Sequence, residues 1–262
     1  MIPDERRRRL VHLVEEQGSV SIAELTEALG VSHMTVRRDI RQLEEAGRVV
    51  SVSGGVALPS RIALDATHQA KLGLHPTEKE AIAARTVELV RPGDLVYLDA
   101  GTTMLAVARQ LVERAEELPV DLITNDLAVA ACLGDHPTAG VHVLGGRLDS
   151  ANLSTEGAVP AAELAEFNID LAVVSASSFD LRGLSVPSEA KTLVKRAIVE
   201  NSSRSCLATD SSKYGRVAAC RAVALDAFDS IVTDGALPDA AGEHLAQLGV
   251  ELLIGEPGRS RP

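Results

Sequence analysis

Two helix boundaries written into residues 18–35 restrict this chain more than any other feature. Ser21 followed by Glu24 has the spacing of a capping box, in which each side chain satisfies a backbone N–H that a helix start leaves orphaned. Val20 and Leu25 stand where a hydrophobic staple would set the entry of the chain. Gly30 stops this helix and Ser32 caps the next only two residues later, so a short turn joins the pair as a helix-turn-helix. An earlier helix, for which Asp4 is the expected cap, carries Leu10, Leu13 and Val14 at helical spacing and ends at Gly18.

The third helix has two faces. Val36, Ile40 and Leu43 recur at i, i+4 and i+7, and at about 100° per residue the opposite side collects Met34, Arg38, Arg41 and Gln42. A solvated polar face is the plain reading of any lone amphipathic helix. In a helix-turn-helix, however, the second helix enters the major groove by its first turn, which places Met34 and Thr35 at base edges with the arginines following toward guanines or phosphates. After Gly47, residues 48–57 read as two short strands around Gly54 and Gly55, whose glycines permit the positive φ of a tight turn. A hairpin behind a helix-turn-helix is a wing.

Charge first argues against this reading. The 262 residues carry a net charge of -11, which ordinarily disfavours nucleic acid. Residues 1–57, however, hold eight arginines against nine acids, and the remainder holds 18 basic against 28 acidic residues. The arginines cluster as Arg6, Arg7, Arg8, Arg9 and as Arg37, Arg38, Arg41, and a phosphate backbone responds to local clusters within a Debye length of about 8 Å. With no Trp, two Tyr and three Phe, stacking platforms for single-stranded bases are nearly absent.

Residues 58–76 lose apolar periodicity and read as a linker with one short helical stretch. From 77 to 257 the pattern becomes α/β. Residues 78–90 are helical, residues 94–99 form a buried-strand run, and further strands at 122–124, 141–144, 171–175, 205–208, 231–233 and 250–254 alternate with helical segments. Such alternation predicts a doubly wound parallel or mixed sheet with helices on both faces. Ligands of open α/β sheets bind beyond the carboxyl ends of the strands. There stand Asp99 and Gly101-Thr102-Thr103 at a strand-to-helix turn, Thr124-Asn125-Asp126, Gly145-Gly146-Arg147, and Asp210-Ser211-Ser212-Lys213. Free N–H groups, hydroxyls and a helix dipole at Gly101-Thr102-Thr103 suit a phosphate, while Asp99 suits sugar hydroxyls. Each loop alone also reads as a plain turn or helix cap.

The pattern Ser32-x-x-Thr35-Val36-Arg37-Arg38-Asp39-Ile40, with Leu43 and Gly47 following, resembles the signature of DeoR-family bacterial transcriptional repressors. The resemblance covers nearly the whole chain. It implies a winged helix-turn-helix followed by an effector domain similar to ribose-5-phosphate isomerase. It also implies an operator interface of Ser32, His33, Met34, Thr35, Arg37, Arg38 and Arg41, with Ser32 and Asp39 holding the helix in place. The implied effector site is Asp99, Gly101, Thr102, Thr103, Asn125, Gly145, Gly146, Lys195 and Lys213. The implied partners are double-stranded operator DNA and a phosphorylated sugar that relieves repression of sugar-catabolism genes, with a homodimer or homotetramer supplying two half-sites. The chain departs from the family pattern at Ser51 and Ser53, where an Arg and a His precede the paired glycines, at Ser175-Ala176-Ser177-Ser178 in place of glycines, and at Lys191 in place of a Glu.

Two other classes compete. A sugar-phosphate isomerase would need a carboxylate base, with Lys213 or Lys195 stabilising an enediolate. The segment after the central strand offers only hydroxyls, with Asp180 as the substitute base. A protein-interaction module with a relic helix-turn-helix is the third reading. No enzyme activity, cofactor or metal is expected: neither GxxxxGK[ST] nor a strand-borne GxGxxG is present, and Cys132, Cys206 and Cys220 lack metal-ligand spacing and read as three buried thiols. The longest stretch free of Asp, Glu, Lys and Arg, residues 49–60, is too short for a membrane span, and Met1 begins no signal peptide, so the expected location is the cytoplasm.

Overall fold

The computed structural model describes residues 2–52, 55–61, 66–136 and 140–256. The chain opens with α1 (Pro3–Gln17), β1 (Ser19–Ser21), α2 (Ile22–Leu29), α3 (His33–Glu45), β2 (Val50–Val52) and β3 (Gly55–Ala57). The capping box forms as its spacing predicts: Glu24 N–H donates to Ser21 Oγ at 3.1 Å and Ser21 N–H to Glu24 Oε2 at 2.8 Å. Gly30 adopts the left-handed C-cap, and Ser32 accepts from Thr35 N–H at 3.2 Å. Each such cap is worth about 1 kcal/mol, enough to define helices too short to persist alone. Asp4, expected as the first cap, instead lies in the first turn: Pro3 already tolerates the missing N–H bond there and Ile2 takes the cap position.

Leu10, Val14, Leu25, Leu29, Val36, Ile40 and Leu43 bury one small core, with the staple residue Val20 among them. Val20 also belongs to β1, which pairs antiparallel with β3 and so makes the wing a three-stranded sheet of order β1-β3-β2. The sequence reading had two strands, because a three-residue strand beside a helix cap leaves no periodicity to detect. Ser53 and Gly54 lie outside the described residues.

The linker segment holds β4 (Ser60–Arg61) and α4 (His68–Leu72). Beyond it come α5 (Pro76–Val87), β5 (Leu95–Leu98), α6 (Thr102–Glu113), β6 (Asp121–Thr124), α7 (Leu127–Leu133) and β7 (Val141–Val143). A hairpin follows, β8 (Arg147–Asp149) and β9 (Ser154–Glu156), then α8 (Ala158–Leu164) and β10 (Leu171–Val174). The rest is β11 (Phe179–Asp180), β12 (Gly183–Val186), α9 (Glu189–Glu200), β13 (Ser205–Ala208), β14 (Arg216–Val217), β15 (Cys220–Val223), β16 (Ser230–Thr233), α10 (Asp239–Leu248) and β17 (Glu251–Ile254).

Seven of these strands form one sheet in the order β17-β16-β13-β10-β5-β6-β7, parallel throughout. Because side chains alternate across a strand, Val96 and Leu98 face one core with α5, α6 and α7, while Tyr97 faces the other with α8, α9 and α10. Both faces are covered, so the strands read as continuous apolar runs rather than alternating ones. The chain winds outward from β5 through β6 to β7, then returns and winds the other way from β10. The order therefore reverses between β5 and β10, and a crevice opens at their carboxyl ends.

Contacts tie the two parts together. β4 pairs in parallel with β14, and Ser60 N–H donates to Gly215 C=O at 2.9 Å. The Arg182 guanidinium lies where a Cβ on Gly47 would stand, and Gly215 packs on Val50.

Candidate functional site

In α3, Ser32 is the cap, His33, Met34, Arg37 and Arg38 are exposed, and Thr35 is half-exposed. Met34 is 78% exposed, unusual for a large apolar side chain and appropriate to a surface that awaits a partner. The helix is fixed from behind: Asp39, 1% exposed, accepts two bonds from the Arg6 guanidinium of α1. Arg6 is thus structural, whereas the sequence placed it in a basic cluster. Arg7, held by Asp4 and Gln42, is likewise engaged within the module. Arg41 stands apart, half-exposed and paired with Glu243 of α10 at 3.2 Å. Buried Glu44 accepts from Ser51 N–H and from Tyr214 Oη at 3.5 Å, so the end of the recognition helix touches the α/β part. Burial pushes the Glu44 carboxyl above the usual range, and Ser51 only partly offsets this.

A second site lies at the switch point, in a cavity of about 200 Å³. Asp99, Gly101, Thr102, Thr103, Asn125, Lys195 and Lys213 all line it. Gly101 has φ 130°, a conformation that glycine alone takes without strain, and its N–H is held by Asp126 Oδ2 at 2.9 Å. Leu105 is the first residue of α6 to bond back along the helix, to Gly101 C=O, so the N–H groups before it lack an intrahelical acceptor. Thr102 and Thr103 present hydroxyls beside them.

Other predicted residues prove to be positioning groups. The Lys195 ammonium contacts Asp99 Oδ2, Ser175 C=O at 2.7 Å and Ser175 Oγ at 3.3 Å, which occupies all three of its protons. Asp99 in turn also accepts from Ser175 N–H at 2.8 Å. Asn125 accepts from Tyr97 Oη at 2.7 Å and donates to Thr155 C=O at 2.8 Å, which ties the β8–β9 hairpin to the sheet. Lys213 lines the cavity, with its ammonium 3.4 Å from Ser212 Oγ and 3.5 Å from Asp210.

Gly145 and Gly146 are not on this wall. Gly145 N–H already donates to Glu163 at 3.0 Å, and Gly146 abuts Pro160, so both glycines serve the turn into β8. The departures settle similarly: Ser175 joins Asp99 and Lys195, buried Ser178 bonds Ser185, and Lys191 lines the cavity while paired with Asp149 at 3.1 Å. Asp180, the substitute base, is bound by Arg182 and lies off the wall. Of the three thiols only Cys206 is buried, pushed up to about 12 by desolvation, while Cys132 and Cys220 are half-exposed.

Several wall residues escaped the sequence reading: His68 and Lys71 of α4, Lys79 of α5, Asn152 and Thr155 of the hairpin, and Arg216 of β14. Nothing local to the linker, beyond its one short helical stretch, signals a return over the cavity. Six cations, Lys71, Lys79, Lys191, Lys195, Lys213 and Arg216, thus share a wall with the carboxylates of Asp99 and Glu156. Burial and the neighbouring ammonium groups of Lys213 and Lys71 hold the Lys79 amine below an ordinary lysine. Asp99 Oδ2 accepts from Lys195 and Ser175, and Glu156 is paired with Arg147. With six cations against two carboxylates on its wall, such a cavity attracts anions.

A winged helix-turn-helix joined to an α/β domain with an anion-attracting cavity defines a ligand-responsive DNA-binding regulator. The chain matches the DeoR-like helix-turn-helix domain over residues 6–61 and the DeoR C terminal sensor domain over residues 74–235. It belongs to the DeoR family of transcriptional regulators. It is 45% identical to the HTH-type transcriptional regulator YgbI of Escherichia coli (strain K12), across 97% of this chain and 98% of that protein. It is also 31% identical to the glycerol-3-phosphate regulon repressor of the same organism, across 95% and 98%. Among solved structures, ribose 5-phosphate isomerase A of Methanocaldococcus jannaschii aligns with 52% of this chain and 53% of its own, at 20% identity and a TM-score of 0.38. Among the described residues, no helix is long and apolar enough to cross a membrane.

Proposed function

We propose that this regulator represses sugar-catabolism genes and leaves its operator when a phosphorylated sugar enters the switch-point cavity. The single observation behind this reading is the convergence of the uncapped α6 N-terminus and the Thr102 and Thr103 hydroxyls with Lys213 and Arg216. A phosphate dianion gains charge-assisted hydrogen bonds there that a neutral sugar does not. The glycerol-3-phosphate repressor among the relatives carries a phosphorylated compound in its name, which agrees with this class. Engagement of Asp99 by Lys195 and Ser175, and the pairing of Asp180 with Arg182 away from the wall, favour a sensor over an isomerase.

The working division is a DNA-binding domain at 1–57, a linker at 58–76 and an effector domain at 77–257. His33, Met34, Thr35, Arg37, Arg38 and Arg41 read the operator, with Ser32 fixing the helix start. The protein acts in the cytoplasm as a homodimer or homotetramer, because one recognition helix covers too few base pairs for tight binding. The test is a thermal-shift screen of sugar phosphates against their unphosphorylated parents. Release of the purified chain from the promoter fragment upstream of its own gene follows. Phosphorylated compounds should stabilise the protein and release DNA, and a screen in which none does either refutes the reading.

A further inference from the structure

We propose that His68, in the linker helix α4, is a phosphate-binding residue of the effector site, so that the ligand is held by the linker as well as by the sensor domain. The inference rests on the sugar-phosphate reading above and adds a residue that lies before the matched sensor domain, which begins at residue 74. His68 is 6% exposed and lines the cavity, yet its Nε2 has no hydrogen-bond partner. A buried imidazole nitrogen without a partner is an unmet desolvation cost, and such atoms are rare unless something else completes them.

The helix that carries the ring is held in place. His68 N–H donates to Ala151 C=O at 2.8 Å in the β8–β9 turn, and Lys71 Nζ donates to Asn152 Oδ1 at 2.9 Å in the same hairpin. Lys79 Nζ donates to Lys71 C=O at 2.6 Å and to Leu74 C=O, and so fastens the far end of α4 to α5. A helix of five residues pinned at both ends does not swing its first side chain freely.

The position of the ring identifies the ligand group. α4 packs on α6, and His68 shares the cavity wall with Gly101, Thr102 and Thr103 at the start of that helix. His68 therefore approaches the α6 N-terminus, where the phosphate of a bound sugar belongs. An imidazole Nε2–H donated to a non-bridging oxygen would complete a shell begun by Thr102, Thr103 and Lys213. Chain direction gives the contact its consequence: β4, eight residues earlier, is hydrogen-bonded to β14, which follows Lys213. A phosphate held by His68 and Lys213 thereby bridges the linker that leads out of the winged helix and the loop before β14, the strand on which that linker's β4 pairs.

The experiment is calorimetric titration of the full chain with inorganic phosphate and with the sugar phosphates that stabilise the wild type. His68→Ala should weaken both by tenfold or more without lowering the melting temperature of the unliganded protein. His68→Gln, whose amide nitrogen reaches the place of Nε2, should stay within about threefold of wild type. Release from the promoter fragment should then require correspondingly more ligand for His68→Ala alone. Equal affinity of His68→Ala and wild type overturns the proposal and leaves the sugar-phosphate reading intact. So does loss of thermal stability in both variants, which would mark a packing role. A wild type that binds none of these phosphates overturns both.

Discussion

Arg41 of the recognition helix and Glu243 of α10 form an ion pair at 3.2 Å across the junction between the DNA-binding module and the α/β domain. An arginine expected to meet DNA is thus shared with the domain expected to meet the ligand. Both side chains are exposed, 38% and 61%, and a pair of that kind contributes about 0.2–1 kcal/mol. Glu243→Gln should therefore strengthen binding to the promoter fragment by up to about fivefold, an effect that fades in high salt. Fluorescence anisotropy at two ionic strengths measures this, and weaker binding by the variant would show that the pair orients α3 for DNA.

The exposed and buried faces of α3 should separate cleanly. Arg38→Ala is expected to abolish sequence-specific binding while changing stability by less than about 0.5 kcal/mol, as at any exposed site. Val36→Asp, at a position with no exposure, should unfold the small module by burying an unpaired charge. Gel shifts with specific and competitor DNA, beside thermal melts, distinguish the two. Retained operator affinity in Arg38→Ala would place the DNA surface elsewhere.

Lys195 is expected to matter more for stability than for ligand charge, since its protons are already spent on Asp99 and Ser175. Lys195→Met leaves the 2%-exposed Asp99 uncompensated and should cost about 3–5 kcal/mol. Adding Asp99→Asn should restore much of that loss, because a neutral amide needs no counter-charge. Chemical denaturation of the two variants tests this coupling, and additive losses would show the pair to be independent.

The wall also makes a prediction about alkaline pH. Lys79 is held below an ordinary lysine by burial and by Lys213 and Lys71, with Asp210 and Glu78 opposing the shift. A group with a depressed cationic pKa loses its proton earlier as pH rises, and an anion in the cavity favours keeping it. Phosphate affinity should accordingly fall at a pH lower than free lysine titration would give, with net proton uptake on binding in that range. Calorimetry in buffers of different ionisation enthalpy measures the uptake. A pH-independent affinity up to the ordinary lysine range would remove Lys79 from the site.

The small module was legible because its rules are local. A cap, a stop and a staple act within four residues of one another, so Ser21, Glu24, Gly30 and Ser32 announce their helices without reference to the rest of the chain. Strand runs that are apolar on both faces likewise announced a covered parallel or mixed sheet, and Gly101-Thr102-Thr103 could be assigned to a strand-to-helix turn from order alone. Gly145 and Gly146 show the limit of the same method: two glycines at a strand end suit an anion site and a tight turn equally, and only their contacts with Glu163 and Pro160 decide.

What the sequence by itself determined is the order and kind of elements, the capped recognition helix with its exposed arginines, and the set of loops at the strand ends. Tertiary structure alone decided which side chains act on the cavity and which merely hold it. Lys195 and Asn125 spend their hydrogen bonds on the protein, as do Lys71 and Lys79, while His68 reaches the wall from a segment whose weak periodicity marks it as a linker. The reason is physical: hydrogen-bond saturation and burial depend on neighbours far away in the chain, such as Lys195 and Asp99 or His68 and Ala151, and no short-range pattern encodes them.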